Sequence, residues 1–189
     1  MNFKHLIVTV LAATATSAFA ADTYAIDPSH TFPSFEADHM GGLSTFRGKF
    51  TKTSGTIVLD RAAKTGSLDI TIDATTLDFG HEKLNHHAKN ADIFDVAQFP
   101  TATYKSKSIT FKGDQPASVN GELTLHGVTK PVTLTLNKFK CIDHPMLKKE
   151  VCGGDASADI KRNDFGINYG LPRFSPDVKL LISVEAVKN

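Results

Sequence analysis

The chain has 189 residues, of which 22% are charged and 41% hydrophobic, and its formal net charge is +1. This near-neutral charge argues against electrostatic binding of nucleic acid, which requires a clustered basic surface. The length is sufficient for one domain with a sizeable core.

Residues 1–20 have the features of a secretory signal peptide. Lys4 lies in a basic start, Leu6 to Ala13 form an apolar run, and Ala18 to Ala20 make a small-x-small cleavage site. A retained membrane anchor is the alternative, but the run is short and rich in alanine and threonine. We therefore expect cleavage after Ala20, a mature domain of residues 21–189, and a periplasmic location.

The first half of the mature chain contains short stretches in which apolar and polar residues alternate. Such alternation, with turn signals between the stretches, is typical of antiparallel β-strands. Gly41 and Gly42 separate the first two stretches. The predicted strands lie at His30 to His39, Phe46 to Leu59, Leu68 to Ile72 and Ala102 to Phe111.

One segment interrupts the alternation. Residues His81 to Asp95 contain good helix formers, and Leu84, His87 and Ala88 have the i, i+3, i+4 spacing of a short amphipathic helix. The segment begins with His-Glu, as a zinc protease motif does, but the next histidine arrives one residue late, at His86. We therefore expect a solvated helix surface and no metal site.

The segment Glu122 to Asn137 is the clearest hairpin signal in the chain. Leucines alternate with polar residues on both sides of a turn predicted at Gly127 to Pro131, so one face is aliphatic and the other is rich in threonine. Ala156 to Ile167 and Val178 to Val187 complete the series of strands. Seven or eight antiparallel strands with one helical insertion predict an all-β barrel or sandwich, which alternation alone does not distinguish.

The two cysteines, Cys141 and Cys152, are separated by a short polar loop. In an oxidising compartment such a pair favours a disulfide, which contributes roughly 3 kcal/mol in the chain-entropy model. A redox or metal pair is the alternative, but the spacing matches neither a CxxC motif nor a zinc knuckle.

Several ordered blocks of the mature sequence resemble the YceI-like family of secreted bacterial proteins. Tyr24 to Phe50 resembles the family's I-D-x-x-H-S opening with a later G-x-F, and Ala91 to Ser106 resembles A-D-F-F-x-x-x-x-F-P. The hairpin GELTLHGVTKPVTL is similar to G-x-L-T-L-x-G-V-T-K-P-V, and Arg162 to Gly166 matches R-x-D-F-G. The departures are mild: Phe32-Pro33 in the first strand, and Tyr104 where phenylalanine is usual.

The resemblance implies an eight-stranded antiparallel lipocalin-like β-barrel with one short inserted helix. It also implies a periplasmic binding or carrier protein whose lumen holds a long-chain isoprenoid lipid, quinone-type or polyprenyl, or in some relatives a fatty-acid-like molecule. No cofactor beyond such a lipid and no chemistry of its own are implied. Transient contact with a membrane or with membrane redox proteins is compatible with this role, and the oligomeric state is left open.

The strand phases, combined with the resemblance, assign side chains to the lumen. His39 is in phase with Phe35 at a strand end, where it would bond a ligand head group or satisfy a buried turn. Inward aliphatic residues also fill ordinary β-cores, so a packed core without ligand is the alternative. The predicted lumen residues are Phe35, His39, Phe46, Phe50, Leu68, Ile70, Ile72, Tyr104, Leu123, Leu125, Leu134, Leu136, Leu180, Ile182 and Val184.

Two further functions remain open from the residues alone. A barrel enzyme acting on a lipid or quinone would need convergent acid and base groups, and no such motif is visible. A structural stress protein would have a lumen filled by its own side chains. A buried polar cluster in the lumen would favour the enzyme, and a solidly packed lumen would favour the structural protein.

Overall fold

A computed structural model describes residues 21–189, so the predicted signal peptide lies outside the described residues. This part of the chain is mainly β-structure, with α-helix α1 (Glu82–Lys89) and two 3-10 helices, η1 (Ala74–Thr76) and η2 (Arg162–Phe165). The strands are β1 (Asp22–Ile26), β2 (Phe32–His39), β3 (Ser44–Phe50), β4 (Thr53–Asp60), β5 (Thr65–Asp73), β6 (Leu77–Asp78), β7 (Thr101–Lys112), β8 (Gln115–Leu125), β9 (Val128–Asp143), β10 (Glu150–Lys161) and β11 (Asp177–Lys188).

The strand segments combine into a closed barrel of eight antiparallel strands. β1 and β2 both pair with β11, so they lie end to end as one interrupted barrel strand. In the same way β3 and β4 lie end to end, because β3 pairs with β2 and β6 while β4 pairs with β1 and β5. β5 and β6 form the next barrel strand, since they pair with β4 and β3 respectively. Each barrel strand pairs with the next in sequence, and the β1–β11 pairing closes the ring. The predicted barrel is confirmed and the sandwich is excluded.

Two interruptions of the strands were not foreseen, and each has a hydroxyl group at its centre. The Thr31 hydroxyl donates to the carbonyl of Glu185 and accepts from its amide, which anchors the bulge between β1 and β2 on β11. The Thr76 hydroxyl accepts hydrogen bonds from the amides of Thr51 and Lys52, where the predicted strand Phe46 to Leu59 is broken. At both breaks a threonine hydroxyl therefore accepts from backbone amides that the strand ladder leaves free.

The predicted short helix is present as α1 and contains Leu84, His87 and Ala88. His81 caps it, with Nδ1 accepting from the amide of Leu84 at 3.3 Å. After Lys89 the chain turns back on itself, and the amide of Phe94 bonds the carbonyl of Ala88 at 3.1 Å. Asp95 has a φ of +43°, which is incompatible with a continuing α-helix. The predicted short inserted helix is therefore confirmed, and the rest of the segment to Asp95 is a turn.

The predicted hairpin is present, but its turn is tighter than predicted. Leu125 pairs with Val128, and His126 and Gly127 between them have φ of +51° and +73°, as in the two-residue turns that match the twist of a hairpin. Pro131 therefore lies inside β9 rather than in the turn. β10 pairs with β9 only as far as Thr135, so Pro131 has a strand neighbour on one side alone, where a missing amide is tolerated.

The cysteines lie opposite each other on β9 and β10 and form the predicted Cys141–Cys152 disulfide. They close the long β9–β10 hairpin at the end of the barrel that also carries the 61–64 and 113–114 turns. The other end carries the 40–43 turn, α1 and residues 162–176.

In the described range, the helices are too short or too polar to traverse a bilayer.

Candidate ligand-binding cavity

The barrel encloses a cavity of about 450 Å³. This volume falls within the roughly 300–1,000 Å³ of small-molecule sites. All of the predicted lumen residues line the cavity, from Phe35 and His39 near one end to Val184 near the other. Their contact with a ligand stays a prediction.

Period-2 alternation builds the wall of the cavity. Leu123 on β8 and Leu134 on β9 are both 8% exposed, whereas Thr124 between the leucines of β8 turns outward and bonds the Thr129 hydroxyl at 2.8 Å. Other inward side chains, including Leu125 and Ile182, are only partly buried because they face open space inside the barrel. The lumen is therefore not packed solid with side chains, as we would expect it to be in a structural protein without a ligand.

A cluster of phenylalanines narrows the cavity toward the end that carries α1. Phe35 lies 6.1 Å from Phe50, 5.6 Å from Phe79 and 5.9 Å from Phe94, measured between ring centroids. Gly48 makes room for this cluster, since a Cβ there would lie 2.6 Å from Cζ of Phe35. The cluster provides a rigid aromatic surface for an apolar ligand.

Tyr104 lies against the wall of the lumen and does not present a free hydroxyl to it. The hydroxyl lies 3.0 Å from each of the carbonyl oxygens of Val119 and Val132, so its polar atom is turned into the wall. Burial raises the pKa of Tyr104 to about 12, which keeps the phenol neutral. Gly121 lies beneath the ring, where a Cβ would approach Cζ of Tyr104 to 2.6 Å.

Aromatic side chains form the mouth of the cavity. The His39 ring stacks on Phe46 with a centroid distance of 4.0 Å and lies 5.9 Å from Phe174. Tyr169 joins Phe174 to His87 of α1, with centroid distances of 6.4 and 5.2 Å. His87 was predicted to lie on a solvated surface, but it is half-buried and lines the cavity. The mouth of the apolar lumen is therefore lined by aromatic rings, and three of them, His39, His87 and Tyr169, carry polar atoms.

Two charged residues brace the mouth. Arg162 donates from Nε to the carbonyl of Ser175 at 3.2 Å and from Nη1 to that of Ile167 at 2.9 Å, so it ties together the two ends of the loop that carries Tyr169. Burial lowers the pKa of Arg162. Asp38 accepts from the amide of Ser175 at 2.9 Å, which lowers the pKa of Asp38 and joins this loop to the 40–43 turn.

A polar cluster covers the opposite end of the barrel. Tyr24, 1% exposed, donates to Glu150, and Nη2 of Arg61 lies 2.9 Å from both carboxylate oxygens of Glu150. Burial, reinforced by the bond to Glu150, raises the pKa of Tyr24. Burial alone would raise the pKa of Glu150, but the hydrogen bonds from Tyr24 and Arg61 outweigh it and the pKa is lowered. We refer to Tyr24, Arg61 and Glu150 as the closed-end cluster.

Potential metal ligands gather at two places within residues 21–189, and neither includes the histidines of α1. At the first, Cys141 and Cys152 are bonded to each other, so their sulfur atoms are not free thiolates. At the second, Nδ1 of His30 is 2.7 Å from the Asp27 carboxylate, outside the cavity lining.

Sequence reasoning missed the part of the cavity that is not built from alternating strands. Phe79, Leu84, His87 and Phe94 come from the segment between β6 and β7, and further lining residues come from residues 162–176. Strand phase carries no information on these segments. The density of aromatic residues in them, including Tyr169 and Phe174, was the available signal.

An up-and-down barrel of eight antiparallel strands around an apolar cavity defines the lipocalin-like class, whose interior holds one small ligand. The profile of the YceI-like domain matches residues 24–186. The chain belongs to this family. It is 38% identical over 178 residues to Protein YceI of Escherichia coli O157:H7, covering 93% of this chain and 91% of that protein. Protein YceI of Salmonella arizonae is 37% identical over 179 residues, with 93% and 92% coverage.

Solved structures share the fold at lower sequence identity. BcnA of Burkholderia cenocepacia superposes with a TM-score of 0.67 at 24% identity, covering 85% of this chain and 98% of that one. The YceI protein of Campylobacter jejuni gives a TM-score of 0.66 at 24% identity, with 78% and 87% coverage. A polyisoprenoid binding domain from Saccharophagus degradans, implicated in plant cell wall breakdown, gives 0.64 at 16% identity, with 88% and 98% coverage.

Proposed function

We propose that the protein is a periplasmic binding or carrier protein that holds a long-chain isoprenoid lipid, quinone-type or polyprenyl, in the barrel lumen. The observation that carries this proposal is the apolar cavity, whose wall is almost entirely aliphatic and aromatic side chains. Apolar surface removed from water contributes about 25 cal/mol per Å². Transfer of a long isoprenoid tail from water into the lumen is therefore favourable in free energy. The slender shape of such a tail also suits the interior of an eight-stranded barrel.

Membership of the YceI-like family supports the same proposal. The Saccharophagus degradans domain, which shares the barrel, is described as polyisoprenoid-binding. The signal-peptide features of residues 1–20 support secretion. Mass spectrometry of the intact secreted protein tests this part, since cleavage after Ala20 predicts a chain that begins at Ala21.

Binding accounts for the lumen better than catalysis does. Four of the polar side chains that line it make structural bonds: Tyr24 to Glu150, Tyr104 to backbone carbonyls, Asp38 to backbone amides and Arg162, through Nε and Nη1, to backbone carbonyls. A catalytic acid or base must instead be directed at a reacting group. These bonds support a carrier that leaves its ligand chemically unchanged.

The proposal is tested by gentle purification of the secreted protein and mass spectrometry of its organic extract. We expect a long-chain isoprenoid in stoichiometric amount. Repeated preparations without lipid, from protein that also fails to bind added ubiquinone, would overturn the proposal. Recovery of a chemically altered product after incubation with ubiquinone would instead favour an enzyme.

A further inference from the structure

The apolar lining of the mouth continues onto the outer surface of the barrel. Met40, Leu43 and Tyr169 are 38%, 76% and 41% exposed, which is high for large hydrophobic side chains. Tyr169 also lines the cavity, and its ring is linked through Phe174 to His39, the residue before Met40. We call the surface formed by Met40, Leu43 and Tyr169 the rim patch. Tyr169, which lines the cavity, connects the rim patch to the interior of the lumen.

The backbone beneath the rim patch is held in a fixed arrangement. The Asp38 carboxylate accepts from the amides of Gly41 at 3.1 Å, Gly42 at 2.5 Å and Ser175 at 2.9 Å. The amide of Leu43 bonds the carbonyl of His39 at 3.0 Å, which closes the turn. The 40–43 turn and the loop that carries Tyr169 are thus joined by hydrogen bonds at the mouth.

The charges around the rim patch suit a phospholipid surface. The negative charge of Asp38 is directed at backbone amides rather than at solvent. Arg173 is exposed, and its carbonyl oxygen lies 3.2 Å from where a Cβ of Gly41 would be, so a guanidinium group is attached beside the turn. Arginine pairs well with phosphate, and tyrosine favours the membrane–water interface.

We propose that the rim patch docks on a phospholipid bilayer, so that the ligand passes between bilayer and lumen through the mouth without crossing water. This inference rests on the proposed function, because it concerns the route of the same ligand. The exposed side chains of Met40 and Leu43, with Tyr169 and Arg173 beside them, suit shallow insertion among lipid head groups. The continuity of the patch with the lumen would give an isoprenoid tail an apolar path along its whole length.

The test compares Leu43→Asp with Met146→Asp. Met146 is 82% exposed at the tip of the β9–β10 hairpin, at the other end of the barrel, so the control makes a similar change far from the mouth. Vesicles of phosphatidylcholine and phosphatidylglycerol containing a ubiquinone are mixed with lipid-free protein, and the rate at which ubiquinone appears on the protein is followed. Equilibrium binding of the same ubiquinone, added from detergent, is measured separately.

We expect Leu43→Asp to slow extraction from vesicles by about tenfold, since loss of one buried leucine is an effect of that order. Equilibrium binding of ubiquinone from detergent should be unchanged, and Met146→Asp should extract at the wild-type rate. Wild-type extraction by Leu43→Asp, or slow extraction by Met146→Asp, would overturn docking through the rim patch while leaving lipid binding intact. Failure of the wild type to bind ubiquinone from detergent would instead refute the proposed function, and the docking inference with it.

Discussion

At the scale of single residues, the shape of the lumen depends on where large rings meet glycines. Tyr104 lies over Gly121, and Phe35 lies over Gly48, with hypothetical Cβ contacts of 2.6 Å in both cases. Because each glycine has no side chain, the ring lies against the barrel wall at that position and leaves more of the lumen open. The volume available to a ligand is therefore set partly by residues that have no side chain.

Gly121→Ala tests this relation. The new Cβ would lie 2.6 Å from both the Tyr104 ring and the carbonyl oxygen of Lys105, so we expect the free energy of unfolding to fall by about 1–3 kcal/mol. Gly153→Ala is the control, because its nearest contacts are at an ordinary 3.4 Å. Urea denaturation compares the two variants. Equal stability of both would show that Tyr104 moves aside without cost.

A second prediction at this scale concerns strand phase. Ile182 lines the cavity, whereas its neighbour Ser183 is exposed on the outside of β11. Ile182→Arg places a charge in the lumen and should reduce ubiquinone binding by at least tenfold, because a charge in an apolar site must be desolvated. Ser183→Arg should bind as the wild type does. Equal binding by the two variants, measured by titration on folded protein, would contradict a ligand site at Ile182.

At the scale of elements, the sequence predicted which side chains face the cavity where apolar and polar residues alternate. Where they do not alternate, it did not. The side chains predicted for the lumen on β5, β8, β9 and β11 line the cavity, because a period of two places leucine and isoleucine on one face. The breaks at Thr31 and Thr76 depend on hydroxyl contacts with distant parts of the chain, over 154 residues in one case. The aromatic mouth likewise depends on where α1 and residues 162–176 fold back, which local pattern does not encode.

The β9–β10 hairpin gives a prediction about the disulfide. Replacement of Cys141 and Cys152 by serine should lower the free energy of unfolding by roughly 3 kcal/mol, because the cross-link restricts the unfolded chain. Denaturation with and without reductant measures this, and the reductant should have no effect on the double variant. Unchanged stability of the reduced wild type would show that the hairpin is held by its strand pairing alone.

The closed-end cluster gives a prediction about acid stability. The pKa of Glu150 is lowered in the folded state by its bonds to Tyr24 and Arg61, so its stabilising contribution is present above the unfolded pKa of about 4.3. This contribution is lost as the pH falls through the lower, folded-state pKa. Glu150→Gln should therefore lose less stability than the wild type between pH 5 and acid conditions of about pH 3. Parallel pH profiles of the two proteins, from urea denaturation, would contradict this role for Glu150.

At the scale of the whole molecule, one barrel combines a closed end, an apolar lumen and an aromatic mouth. The closed-end cluster joins β1, the 61–64 turn and β10 by hydrogen bonds at one end, and Arg162 and Asp38 hold the loops of the other end together around the mouth. Under the proposed function, we expect an elongated ligand to enter tail first through the mouth and to leave its head group near His39. This polarity follows from the arrangement of the loops and not from any single residue.

A crystal structure of the protein with a ubiquinone bound tests the central claim most directly. We predict continuous density for the isoprenoid tail inside the barrel, in contact with Tyr104, Leu125 and Ile182, and a head group at the mouth beside His39. Density for the bound ubiquinone on the outer surface, with a lumen that holds only water, would contradict the account.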